Sequence, residues 1–125
     1  MSAVQISFIP HALQRYDTVG DWYYIPGTDI LKIVVSADHP DYLSKELQEA
    51  VAIHELSEAL LCRHAGVTQK QVDDFDFMFT GTGEPGEELH APYHRQHMTA
   101  DIIERVYLQE AMSYNRTQNN KETQT

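Results

Sequence analysis

Hydrophobic and polar positions change rhythm along this chain, from short β-prone runs before residue 40 to a helical repeat after it. Residues 4–9 form the first run, stopped by Pro10, and residues 22–25 form the second. The sequence Pro26-Gly27-Thr28-Asp29 is a strong turn signal, and residues 30–35, rich in β-branched side chains, follow as a third run. Two strands about a Pro-Gly turn predict an antiparallel hairpin. Beyond Asp38, His39 and Pro40 the period becomes helical. Tyr42, Leu43, Leu47, Ala50, Val51, His54, Glu58 and Leu61 share one face of a helix expected over 41–64, which Gly66 ends. Thr68 is placed to cap a shorter helix with Val72, Phe75 and Phe79 as its stripe. The glycine-rich stretch 80–88 predicts a loop. A last helix is expected over 92–112, started by Pro92, with Ile102, Ile103, Val106, Tyr107 and Leu108 in its apolar stripe.

These elements predict an α+β fold: a small antiparallel sheet, made of an N-terminal strand plus a hairpin, packed on two long helices and one short one. Residues 1–114 are expected to form a single domain. Residues 115–125 are polar and offer no apolar surface to offset their ordering entropy, so a disordered tail is expected there.

Two polar groupings interrupt the apolar faces. His54 and Glu58 stand four residues apart and project side by side from the face that also carries Val51 and Leu61. A carboxylate among such neighbours is costly unless a cation meets it. A histidine simply hydrogen-bonded to a carboxylate at the core edge is the ordinary way to satisfy such a pair. His97 and Asp101 repeat the spacing on the last helix, on the face that also holds His94 and Glu104. Metal ligands one helical turn apart grip one side of an ion, and Glu55, about 100° round the helix from His54, stands where a carboxylate could take a proton from a coordinated water.

The string His54-Glu55-Leu56-Ser57-Glu58 resembles the zincin motif of metallopeptidases, with glutamate in place of its second histidine. The later His97-x-x-x-Asp101 is similar to the second ligand helix of the thermolysin-like branch with the two ligand types exchanged. The resemblance implies a minimal zincin-like domain with Zn²⁺ on His54, Glu58 and His97, two imidazoles and one carboxylate as in thermolysin. It makes Glu55 the general base, and Asp101 an outer partner of a ligating histidine. His94 is expected beside the site as an alternate ligand or proton donor. His64, ten residues after His54, lies about 15 Å along an unbroken helix, out of reach of a shared ion. His90 is expected outside the last helix, and His11 and His39 on the surface. Residues 54–64, with Ala91-Pro92-Tyr93-His94 and the helix that carries Glu104, also resemble small uncharacterised proteins of bacteriophages and prophages.

Charge narrows the field. A formal net charge of −10 disfavours nucleic acid and anionic membrane as partners. One cysteine, Cys62, permits no internal disulfide, and neither Cys62 nor Ser57 has the surroundings of a nucleophile. With no apolar stretch of membrane-spanning length and no signal-peptide pattern at the N-terminus, a cytoplasmic protein is expected, in the host cytoplasm if phage-encoded. Three functions are carried forward. The first is a zinc-dependent hydrolase acting on a peptide or amide bond. The second is a magnesium-dependent nucleotide pyrophosphohydrolase using Glu55, Glu58, Asp101 and Glu104. The third is a non-enzymatic, phage-type interaction protein whose metal site is structural.

Overall fold

The structure, a computed structural model, describes residues 1–123, with side chains as far as Arg116. Three strands, β1 (Ala3–Ile9), β2 (Gly20–Tyr24) and β3 (Ile30–Ser36), form one sheet in the order β1-β3-β2. Three α-helices follow: α1 (Lys45–Ala65), α2 (Gln69–Met78) and α3 (His94–Thr123). The fold is α+β, a small sheet packed on helices.

The hairpin forms as the turn signal requires. β2 pairs antiparallel with β3, and Gly27 takes the positive φ of 79° that the tight reversal needs. β1 departs from expectation, because it pairs parallel with β3, from Ala3 opposite Ile30 to Ile9 opposite Ser36. The sheet is therefore mixed. The segment 10–19 carries the chain past the central position before β2 begins, and β3 returns into that position between its two neighbours. β3 consequently holds the core residues Leu31, Ile33 and Val35, all fully buried. They pack against Val51 and Ala52 of α1 with Trp22. On the opposite face Gln14 reaches the Val34 carbonyl (3.4 Å) and the Ser36 hydroxyl (3.2 Å) from the 10–19 segment.

Local signals set the helix ends. The Ser44 hydroxyl accepts from the Leu47 N–H, so α1 begins at Lys45 and residues 41–43 stay outside it. Gly66, at φ 76°, ends α1 in the left-handed conformation. Thr68 and Gln71 form a reciprocal capping box at the start of α2. Within the expected inward face of α1, Leu43 lies in the preceding turn and is exposed.

The last helix differs most from its reading. α3 starts at His94, after His90, and its backbone continues to Thr123. The expected disordered tail at 115–125 falls on a stretch whose side chains from 117 onward, and whose last two residues entirely, lie outside the described residues. Much of the apolar stripe faces outward: Ile102 and Val106 are 61% and 62% exposed and Ile103 is exposed too, while Tyr107 and Leu108 are half-buried. α3 instead lays His97, Ala100, Asp101 and Glu104 against α1. Ala100 is fully buried and lets the helices approach closely. The polar residues of α1 find polar partners there, which an Ile–Val face cannot supply. No helix among the described residues is long and apolar enough to cross a membrane.

Candidate metal centre

His54 and Glu58 are both buried in the middle of α1, and His97 is buried on the facing turn of α3. The structure thus brings together the three residues that sequence spacing proposed as ligands, within a span suited to a single ion. Glu58 is the hub. Its Oε2 accepts from His54 Nε2 (3.2 Å) and from His97 Nδ1 (2.9 Å), and its Oε1 accepts from the Trp22 indole N–H (3.0 Å). Burial alone would raise the Glu58 pKa, but these donors hold it down to about 2. Glu58 is a carboxylate that can only accept, so the ring nitrogens turned toward it carry the protons.

The opposite nitrogen of each ring faces α3 and the 81–88 loop. His54 Nδ1 lies 2.7 Å from Glu104 Oε1 and 3.2 Å from Asp101 Oδ1. His97 Nε2 lies 3.1 Å from Glu84 Oε2 and 3.6 Å from Asp101 Oδ2. Despite these short separations, neither buried nitrogen has a hydrogen-bond partner, because the nearer oxygens stand off the N–H direction and Asp101 Oδ2 is too distant from His97. The metal-free rings are nonetheless held strongly basic. Burial pushes His54 down, but contacts with Glu104 and Glu58 outweigh it and carry its pKa up to about 11. His97, also lowered by burial, is carried up to about 10 by Glu58 and Glu84.

Glu55 lines the same cavity of about 590 Å³ as Gly20, Trp22, His54, His97 and Gly86. A methyl group added at Gly20 would meet Glu55 Oε1 at 2.7 Å, so the glycine gives that carboxyl its room. Burial, and then the negative charge of Glu58, push the Glu55 pKa well above the usual carboxylate range. The shift favours the neutral form of the Glu55 carboxyl. Asp76, on another wall, accepts from the Tyr16 and Tyr93 hydroxyls, while burial lifts its pKa to about 6.

The other candidates sort clearly. Asp101 touches both imidazoles rather than one. His94 donates from Nδ1 to the Gly86 carbonyl (2.9 Å) and joins no ligand group among the described residues. It anchors the loop that packs on His97. His64 is exposed at the end of α1, away from the centre. His11 and His39 are not the surface residues the sequence led us to expect. They are half-buried, stack edge-on at 4.9 Å and line the cavity, with the Ser36 hydroxyl and Asp17 holding the His11 ring. Burial raises the Cys62 thiol to about 12, in keeping with an inert packing residue.

Spacing missed three participants. Trp22 reads as a strand aromatic, yet its indole fixes Glu58. Glu84 comes from a stretch that the sequence marks only as a glycine-rich loop. Gly86 is buried, and a Cβ there would lie 2.4 Å from His97 Cγ, so the loop covers the ring at backbone distance. Glycine between Pro85 and two acidic residues is the one local sign of that close approach. No family model matches this chain, and comparisons with curated proteins and with solved structures return no match.

Proposed function

We propose that the protein is a metal-dependent hydrolase that uses a divalent first-row ion, of the zinc type, to cleave a peptide or amide bond. The observation that carries this reading is the meeting of His54 and His97, from helices far apart in sequence, inside a group of carboxylates that outnumbers them. Even with both rings protonated, Glu58, Glu84, Asp101 and Glu104 leave the cluster short of positive charge. A bound divalent cation corrects that shortage, and mixed imidazole and carboxylate donors suit zinc or its neighbours.

The chemistry such an ion supplies is to acidify a coordinated water toward neutral pH and to polarise a substrate carbonyl. The chain's own residues do the rest. Glu55 takes the proton of the attacking water and returns it to the leaving nitrogen. β2 is an edge strand whose first residues line the cavity, a place for an extended peptide to lie. The outer carboxylates favour a second reading, hydrolysis of a phosphoric anhydride with harder ions, since oxygen donors suit Mg²⁺ or Mn²⁺.

The test begins with elemental analysis of protein purified without tag or chelator, followed by assay on unfolded proteins, amide-linked peptides and a nucleoside triphosphate. Cleavage of a peptide is expected. Glu55→Gln, which keeps shape but cannot accept the proton, should retain the metal and lose at least about a hundredfold in turnover. Equal turnover in the variant would refute the mechanism. Cleavage of the triphosphate alone would move the conclusion to the second reading, and absence of bound metal would refute both.

A further inference from the structure

Glu58 already accepts three N–H donors, two of them from the imidazoles. A histidine that ligates a metal usually donates its other ring N–H to a carboxylate, which fixes the tautomer and leaves the ligating nitrogen with its lone pair free. Glu58 fills that supporting position for both rings at once. The nitrogens left to ligate are then His54 Nδ1 and His97 Nε2, the two buried ring atoms with no hydrogen-bond partner.

The surroundings of those atoms fit ions rather than hydrogen bonds. Around an ion with ligands at about 2.0–2.1 Å, neighbouring donor atoms lie about 3.0–3.4 Å apart. Each donor's lone pair then aims at the ion and misses the next ligand. His54 Nδ1 has oxygens of Glu104 and Asp101 at 2.7 and 3.2 Å, and His97 Nε2 has oxygens of Glu84 and Asp101 at 3.1 and 3.6 Å. None of the four makes a hydrogen bond to its ring: the three nearer oxygens stand off the N–H axis, and Asp101 Oδ2 is too distant from His97. Asp101 divides its carboxylate, Oδ1 toward one ring and Oδ2 toward the other.

We propose that the chain binds two divalent ions bridged by Asp101. One ion is held by His54 Nδ1 and Glu104, the other by His97 Nε2 and Glu84, while Glu58 orients the rings from behind. This rests on the metal-dependent reading above and changes its ligand set and nuclearity. Charge agrees: with neutral imidazoles, the four carboxylates Glu58, Glu84, Asp101 and Glu104 balance two divalent ions. Paired ions at about 3.5–4 Å form the clamp that hydrolases use to hold both the attacking and the leaving oxygen, and one bridging carboxylate sets a separation of that order. Glu87 lies within reach of the His97 ion as a further oxygen donor.

The experiment uses the full chain, stripped with a chelator and then titrated with Mn²⁺. Bound metal is counted after gel filtration, and the electron paramagnetic resonance of the wild-type protein is recorded. Two Mn²⁺ per chain with an exchange-coupled spectrum are expected. Asp101→Asn should lower the count to one or none and abolish the coupling. Glu58→Gln should keep two ions with affinity weakened about 10- to 100-fold. One ion per chain in the wild type, lost in Glu58→Gln, would overturn the pair and leave a mononuclear hydrolase standing. Two ions without coupling would overturn the bridge, and no bound ion would overturn this proposal together with the function. The wild-type spectrum decides the matter even if a variant fails to fold.

Discussion

Helix α1 meets two neighbours, and its contacts with them are built on opposite principles. Toward the sheet, Val51 and Ala52 pack on Leu31, Ile33 and Val35, with Trp22 closing the side. Toward α3, the same helix presents His54 and Glu58 to His97, Asp101 and Glu104, and Glu49 accepts a hydrogen bond from the Tyr107 hydroxyl (2.7 Å). The first interface is apolar and touches the polar one through the Trp22 indole N–H, which donates to Glu58. The second is polar and carries an excess of negative charge, while apolar residues of α3 that could have filled it face solvent. A fold that needed only stability would turn Ile102 and Val106 inward. Stability and chemistry are thus separated on two faces of one helix.

The largest effect should come from the apolar face. Ile33→Ala removes a fully buried side chain from the central strand and should cost about 2–5 kcal/mol of unfolding free energy. In urea titrations the loss should be nearly equal with and without metal, because the Trp22–Glu58 hydrogen bond is a small link between the two faces. A loss that shrinks by more than about 1 kcal/mol on adding metal would show that the interfaces are coupled.

Next in size is the effect of the ion itself, which should depend on pH. In the metal-free protein His54 and His97 have pKa values raised to about 11 and about 10. Their contribution is therefore fully present below the unfolded value near 6.5 and is lost as pH rises toward those values. Glu58, lowered to about 2, contributes stability above its ordinary value of 4.5 and loses it as pH falls. An ion requires neutral rings, so protons compete with it at low pH. At a hundredfold excess over its apparent dissociation constant, the ion should add about 2.7 kcal/mol. At fixed metal concentration that gain should increase from pH 6 to pH 9, while the chelated protein weakens. Parallel stability curves across that range would rule out ligation through these imidazoles.

The smallest effect sharpens the contrast within the polar face. Tyr107→Phe removes the hydrogen bond to Glu49 at the periphery of the α1–α3 contact and should cost about 1 kcal/mol. Metal content should not change. Metal loss in this variant would show that the spacing of the two helices, and not the ligands alone, controls binding.

The sequence by itself determined the parts of this protein that depend on near neighbours along the chain. Whereas the first long helix, expected from 41, begins at Lys45 under the Ser44 cap, Gly66 and Thr68 mark helix ends because their caps close within a few residues. The Pro-Gly turn sets the hairpin for the same reason. His54 with Glu58, and His97 with Asp101, were legible as pairs because four residues is one helical turn. Which face of α3 is buried was not legible, since its apolar stripe and its polar stripe are both helical in period. Only the polar partners waiting on α1 decide between them. The parallel pairing of β1 depends on where a ten-residue connection lands, and no local signal encodes that. Glu84, Trp22 and the close approach of Gly86 to His97 belong to the site only through contacts across the fold. Tertiary structure likewise decided which ring nitrogens face Glu58 and which face the outer carboxylates, because side-chain spacing names the residues on a face and says nothing of which atoms meet.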